Sequence, residues 1–168
     1  MKILLSICAL IVSLIGSWFF WHGDFKLQHH LISKEWKSTS VAYMNLWDQK
    51  VSDFDKAVIY STMKYLPNHT YIKNSTLVFS SPDFKKPVEI NIAESGNWDL
   101  SDHYLLVGPM QFKDITTTPI TQITPAQAEE LKTLFKVNSQ QSRKIDVIDK
   151  NTLLVTSLGH GSTVMYAQ

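Results

Sequence analysis

Two runs, AVIYSTMKYL (57–66) and TYIKNSTLVF (70–79), are dominated by β-branched and aromatic residues with a period of two, and LPNHT between them carries a Pro-Asn turn signal. The pattern predicts a long antiparallel hairpin. Such a hairpin has an apolar face and two edges of unpaired backbone groups, and all three need covering. VEINIAE continues the alternation, with Val88, Ile90 and Ile92 on one face and Glu89, Asn91 and Ala93 on the other. ESGN is expected to turn the chain into WDL and HYLLVG. Further on, RKIDVID and TLLVTSL form a second hairpin around Lys150 and Asn151, and TVMYA supplies a last strand. About eight to ten short strands with no internal repeat predict a mainly β fold, closed into an antiparallel barrel or a strongly curved sheet.

One helix interrupts the strands. In TPAQAEELKTLFK, Thr124 caps, Pro125 takes the first helical position and Gln127 completes a capping box. Ala128, Leu131, Leu134 and Phe135 form its apolar stripe. The segment before it, DITTTPITQITP, is Thr-rich and broken by Pro119, as suits a loop.

The front of the chain obeys another rule. Ile3 to Trp21 is 19 residues without a charge, which as a helix at about 1.5 Å per residue nearly spans the hydrocarbon core of a bilayer. Signal cleavage after Ser17 would put Ile15 at the −3 position, and cleavage after Gly23 would put Trp21 there; neither is small enough. Trp18, Phe19, Phe20 and Trp21 suit an aromatic collar at headgroup depth. The expectation is therefore an uncut anchor; although Lys26, Lys34 and Lys37 follow it and only Lys2 precedes it, the positive-inside rule is weak for long domains, and the N-terminus is expected inside with the domain outside. Immediately after it, Asp24 is expected to cap a short helix in GDFKLQHHLIS, with Leu27 and Leu31 on one side and Phe25 and Ile32 on another.

Composition excludes several roles. Setting Lys2 aside, 15 basic residues face 15 acidic ones, so no electrostatic footprint for nucleic acid is present. The sole cysteine, Cys8, lies in the apolar run, which leaves the domain without disulfide or thiolate chemistry. Six histidines show no H-x-x-x-H spacing, and neither a metal nor a cofactor is expected. LGHGST, with His160 and Ser162 and with Asp102 and His103 as imagined partners, lacks the G-x-S-x-G elbow of a hydrolase. It suits a turn on Gly159 and Gly161. No catalytic residue is assigned.

Trp36 and Trp98 are expected to fill the barrel floor. Met63, Tyr65, Leu77, Phe79, Ile90 and Ile92 are the candidates to line a chamber, although an ordinary barrel core uses the same residues.

Several motifs stand in a specific order: SWFFWHGDFKL, SKEW, KYLPN, INIAESGNWDLSDHYLLVGPMQFKD, QQSRKIDV and TLLVTSLGHGSTV. Together, from about Ser17 to Val164, the chain resembles the ToxS family. The resemblance implies a bacterial inner-membrane protein, with residues 1–2 as a short cytoplasmic end, 3–21 as the transmembrane anchor and 22–168 as a periplasmic domain. It implies a lipocalin-like β-barrel with one or two short helices, open to completion by a partner chain. It further implies a partner, the periplasmic domain of a ToxR-like transmembrane regulator, which the protein shields from proteolysis, and an apolar chamber that receives bile salts. A free-standing carrier of a hydrophobic molecule is the alternative.

Overall fold

The computed structural model describes residues 2–43, 54–82, 86–157 and 161–168, with every side chain among them except those of residues 2–5, 19–23 and 110. The described elements run α1 (Lys2–Ser33), β1 (Glu35–Tyr43), β2 (Lys56–Tyr65), β3 (Thr70–Ser80), β4 (Val88–Ser101), β5 (Tyr104–Asp114), α2 (Pro125–Ser139), β6 (Arg143–Asp149), β7 (Thr152–Ser157) and β8 (Gly161–Ala167).

Alternation becomes a barrel in the simplest way. Each strand pairs antiparallel with its sequence neighbour, and β8 returns to β1 through Trp36↔Ala167 and Ser38↔Met165. The Gln168 amide donates to the Glu35 carbonyl at 3.0 Å and fastens the junction. The chain thus closes its own barrel, where the family resemblance left room for a partner strand.

Closure is uneven. β3 and β4 pair over ten residues each, Thr70↔Asn97 to Phe79↔Val88. β5 and β6 share only Tyr104↔Lys144 and Leu105↔Arg143, with one further backbone bond from Ile145 to the His103 carbonyl. Beyond Leu105 the free edge of β5 has no strand partner among the described residues. α2 stands near this gap and packs Phe135 against Phe112 of β5, with ring centroids 5.8 Å apart.

One expected turn is absent. ESGN lies inside β4, a strand of 14 residues in which burial alternates without a break from Val88 to Trp98. Glycine is required there for another reason: a Cβ on Gly96 would overlap the Gly108 carbonyl oxygen and crowd Pro109 Cα at 2.8 Å. The pairing with β5 also shifts by one residue between Ser95 and Gly96, a bulge that bends the strand. The reversal comes instead at Asp102 and His103, both with positive φ (52° and 65°), as a two-residue hairpin between twisted strands demands.

α2 begins as its sequence directs. Thr124 Oγ1 accepts from the Gln127 amide at 3.2 Å, and Gln127 Oε1 accepts from the Thr124 amide at 2.9 Å. Leu131 and Phe135 are its buried apolar residues, and Ala128 and Leu134 are half-buried.

Asp24 caps no helix. α1 continues unbroken through it to Ser33, and its carboxylate accepts instead from the amides of Asp102 (3.0 Å) and His103 (3.2 Å) at the β4–β5 turn. Leu27 and Leu31 are buried against the barrel, whereas Phe25 is exposed. Among the described residues no helix is long and apolar enough to cross a membrane; of the apolar run, residues 6–18 have described side chains.

Candidate functional site

Two apolar clusters occupy the barrel. The first joins Leu27 and Leu31 of α1 to Trp36, Tyr65, Tyr71, Trp98, Ile145 and Leu153. Both expected tryptophans belong to it, and their indole N–H groups are satisfied by backbone carbonyls, Trp36 to Leu31 at 3.0 Å and Trp98 to Leu66 at 3.2 Å. The second joins Ala57, Leu77, Phe79, Val88, Ile90 and Ile92 to Leu131 and Phe135 of α2.

A chamber of about 580 Å³ is bordered by members of both clusters, within the range of small-molecule sites. Met63, Tyr65, Leu77 and Phe79 border it. Ile90 and Ile92 do not: they are fully buried in the cluster that α2 completes.

The lining is mixed. β2, β3 and α2 contribute Ala57, Ile59, Leu77, Phe79, Leu131 and Phe135. The contiguous strands β7, β8 and β1 contribute the hydroxyls of Ser157, Thr163, Ser38 and Ser40 beside the apolar side chains of Val155, Met165, Val41 and Ala42. Ser61 of β2 also borders the space, with its hydroxyl 2.8 Å from that of buried Ser75. The chamber is therefore mixed in character, an apolar lining interspersed with hydroxyls.

Charge enters at two points. Lys73 Nζ lies 3.1 Å from Glu94 Oε2 and 4.9 Å from the Phe135 ring centroid, and Tyr71 donates to the other Glu94 oxygen. Burial foremost, and then the Arg143 charge, hold the Lys73 ammonium below its ordinary pKa, against the pull of Glu94. Burial and the bond to Glu94 push the Tyr71 hydroxyl well up. Arg143, the second cation at the chamber, donates from Nη2 to the Asn138 carbonyl at the end of α2, at 3.1 Å.

None of these polar groups is among the residues chosen from sequence, yet the signal is there. Tyr71, Lys73, Ser75, Leu77 and Phe79 share one face of β3, so the alternation that selects Leu77 and Phe79 also selects Lys73. Glu94 follows Ile90 and Ile92 by the same count.

The other candidates fall apart. Ser162 pairs with the Thr156 hydroxyl at 3.0 Å, while Asp102 and His103 are the turn residues held by Asp24. His160 and Gly159 lie outside the described residues. No group of acidic, histidine or cysteine side chains able to hold a metal occurs among the described residues. Trp18 is exposed, at 59%; the side chains of Phe19, Phe20 and Trp21 lie outside the described ones.

The family model described as "Trans-membrane regulatory protein ToxS" matches residues 20–166. The chain belongs to the ToxS family. A curated ToxS relative from Vibrio cholerae serotype O1 is 40% identical over 156 residues, covering 92% of this chain and 90% of that protein. Another, from Vibrio parahaemolyticus serotype O3:K6, is 40% identical over 169 residues, covering 99% of both. Both are named "Transmembrane regulatory protein ToxS". A solved structure, "NMR structure of the protein from Burkholderia xenovorans", aligns with this chain at a TM-score of 0.36 and 11% identity, covering 83% of this chain and 84% of that one.

Proposed function

We propose that this member of the ToxS family is a non-enzymatic, membrane-anchored signalling subunit. It binds and stabilises a ToxR-like regulator outside the inner membrane, in the periplasm, and shields it from proteolysis. Its barrel takes up bile salts or similar amphipaths. The observation that carries the reading is the chamber itself, because an apolar lining interspersed with hydroxyls suits a molecule with both apolar and polar groups.

Residues 3–21 act as the spanning anchor, with Trp18, Phe19, Phe20 and Trp21 at the outer headgroups. What supports this is the uncharged run itself and the unbroken helix that leads from it into the barrel. The free edge of β5 is the place for a strand of the regulator, since its unpaired backbone groups favour β-augmentation. Both proteins on one membrane also meet at a raised effective concentration.

The test is to express the full chain with its regulator in membranes and follow regulator proteolysis with and without bile salt. Slower cleavage when the chain is present, changed further by bile salt, is expected; unchanged cleavage in both conditions rejects the reading. Closure through β8 and β1 favours a second reading, a free-standing carrier, which release of the mature chain into the soluble fraction would support.

A further inference from the structure

The chamber carries a charge that its apolar and hydroxyl side chains leave unexplained. Lys73 on β3 and Arg143 on β6 both border it. Among the described residues Glu94 is the one buried carboxylate, and both its oxygens are engaged, by Lys73 and by Tyr71. Arg143 has no acidic partner among the described residues, and its Nε is buried without a hydrogen-bond acceptor. The carbonyl of Asn138 engages one Nη2 donor and turns the guanidinium toward the end of α2, where helix carbonyls favour a cation. A planar guanidinium presents five donors, so a carboxylate or sulfonate can meet several at once. No neutral wall group replaces that charge.

We propose that Arg143, with Lys73 bordering the same space, forms an anion subsite inside the chamber for the carboxylate or sulfonate head of an amphipath. The head lies against Arg143 and the apolar body lies along Leu77, Phe79, Leu131 and Phe135. The inference rests on the proposed uptake of amphipaths and adds to it a requirement for negative charge. A ligand with a neutral head offers Arg143 only an uncharged acceptor, whose hydrogen bond is weaker than a charge-assisted one, which costs affinity. Lys73 is already neutralised by Glu94, so Arg143 makes the charge selection.

The test uses the full chain in phospholipid nanodiscs, with empty nanodiscs as blank, titrated calorimetrically with cholate and with cholate methyl ester below their micelle-forming concentrations. Laurate and its methyl ester, run in parallel, separate a steroid from a chain amphipath. The wild type is expected to bind cholate about tenfold or more above the ester, the effect of a charge-assisted hydrogen bond. Arg143→Gln should bring cholate down to the ester and leave the ester unchanged, and Arg143→Lys should keep most of the preference.

Equal binding of acid and ester by the wild type overturns the inference and leaves uptake of amphipaths standing. An undiminished preference in a folded Arg143→Gln protein overturns it too. If Arg143→Gln does not fold, the comparison of acid with ester in the wild type and in Arg143→Lys decides. A preference seen with laurate alone supports the anion subsite and removes the steroid. If none of the four compounds binds, the chamber itself is no amphipath site and both readings fall.

Discussion

An ammonium inside a barrel is tolerable only when its counter-charge is buried with it, and Lys73 and Glu94 meet that condition, with side chains 7% and 1% exposed. Removing one partner strands the other. Lys73→Met is predicted to cost about 3–5 kcal/mol in urea denaturation, because it leaves Glu94 uncompensated, whereas Lys73→Met combined with Glu94→Gln should recover most of that loss. A double variant as unstable as the single one would show that Lys73 serves packing alone. At Gly96 the obstacle is space: Gly96→Ala is expected to destabilise the fold by about 1–3 kcal/mol, as overpacking does, since the crowding atoms belong to the β5 backbone. The same two sites mark how far residue types can be read. Alternation placed Leu77 and Phe79 at the chamber and passed over Lys73 on the same face, because a charged residue in a strand ordinarily points to water. Gly96 suggested a turn because Ser-Gly-Asn clusters usually make one, and close approach of another strand leaves no local trace.

At the scale of elements, the helices show opposite degrees of legibility. α2 is specified locally by its capping box, and Thr124→Ala should cost about 1 kcal/mol of stability. α1 is specified by contacts far along the chain: Asp24 has the composition of a cap, yet it is 78 residues from the amide it binds. Asp24→Ala is predicted to remove about 1–2 kcal/mol and to speed hydrogen exchange at the Asp102 and His103 amides. No such acceleration would mean that the apolar contacts of Leu27 and Leu31 hold α1 alone. The mooring of α2 on β5 depends on pH. Lys132 Nζ lies 2.9 Å from Asp114 Oδ2, and although burial pushes the Asp114 carboxyl up, bonds from Thr116 and Lys132 outweigh it and hold the pKa below the ordinary 3.8. A depressed carboxylate contributes stability above that ordinary value and loses it as pH falls through the folded-state value. Asp114→Asn should therefore flatten the acid limb of the stability curve, by a small amount that salt reduces further, since Asp114 is 39% exposed.

For the molecule as a whole, an antiparallel barrel of about eight to ten strands was legible in the alternation, and in the structure eight described strands pair in sequence order. The closing pair was not legible, because β1 and β8 come from opposite ends of the domain and nothing local announces Trp36↔Ala167. The weak seam was equally hidden. Amphipathicity reports which face of a strand is covered, but says nothing about whether its edge is. In β5 the alternate amides of Leu106–Asp114 that face away from β4 lack a strand acceptor among the described residues, whereas β3 is paired along both edges. Hydrogen exchange on the full chain in nanodiscs should then be fast at those β5 amides and slow throughout β3, Pro109 having no amide to report. Binding of the proposed regulator at this edge should slow the same β5 amides and leave β3 as it was, because an added strand supplies the missing carbonyls. A complex that forms while the β5 amides still exchange freely would exclude this edge and direct the search for the contact to another face of the barrel.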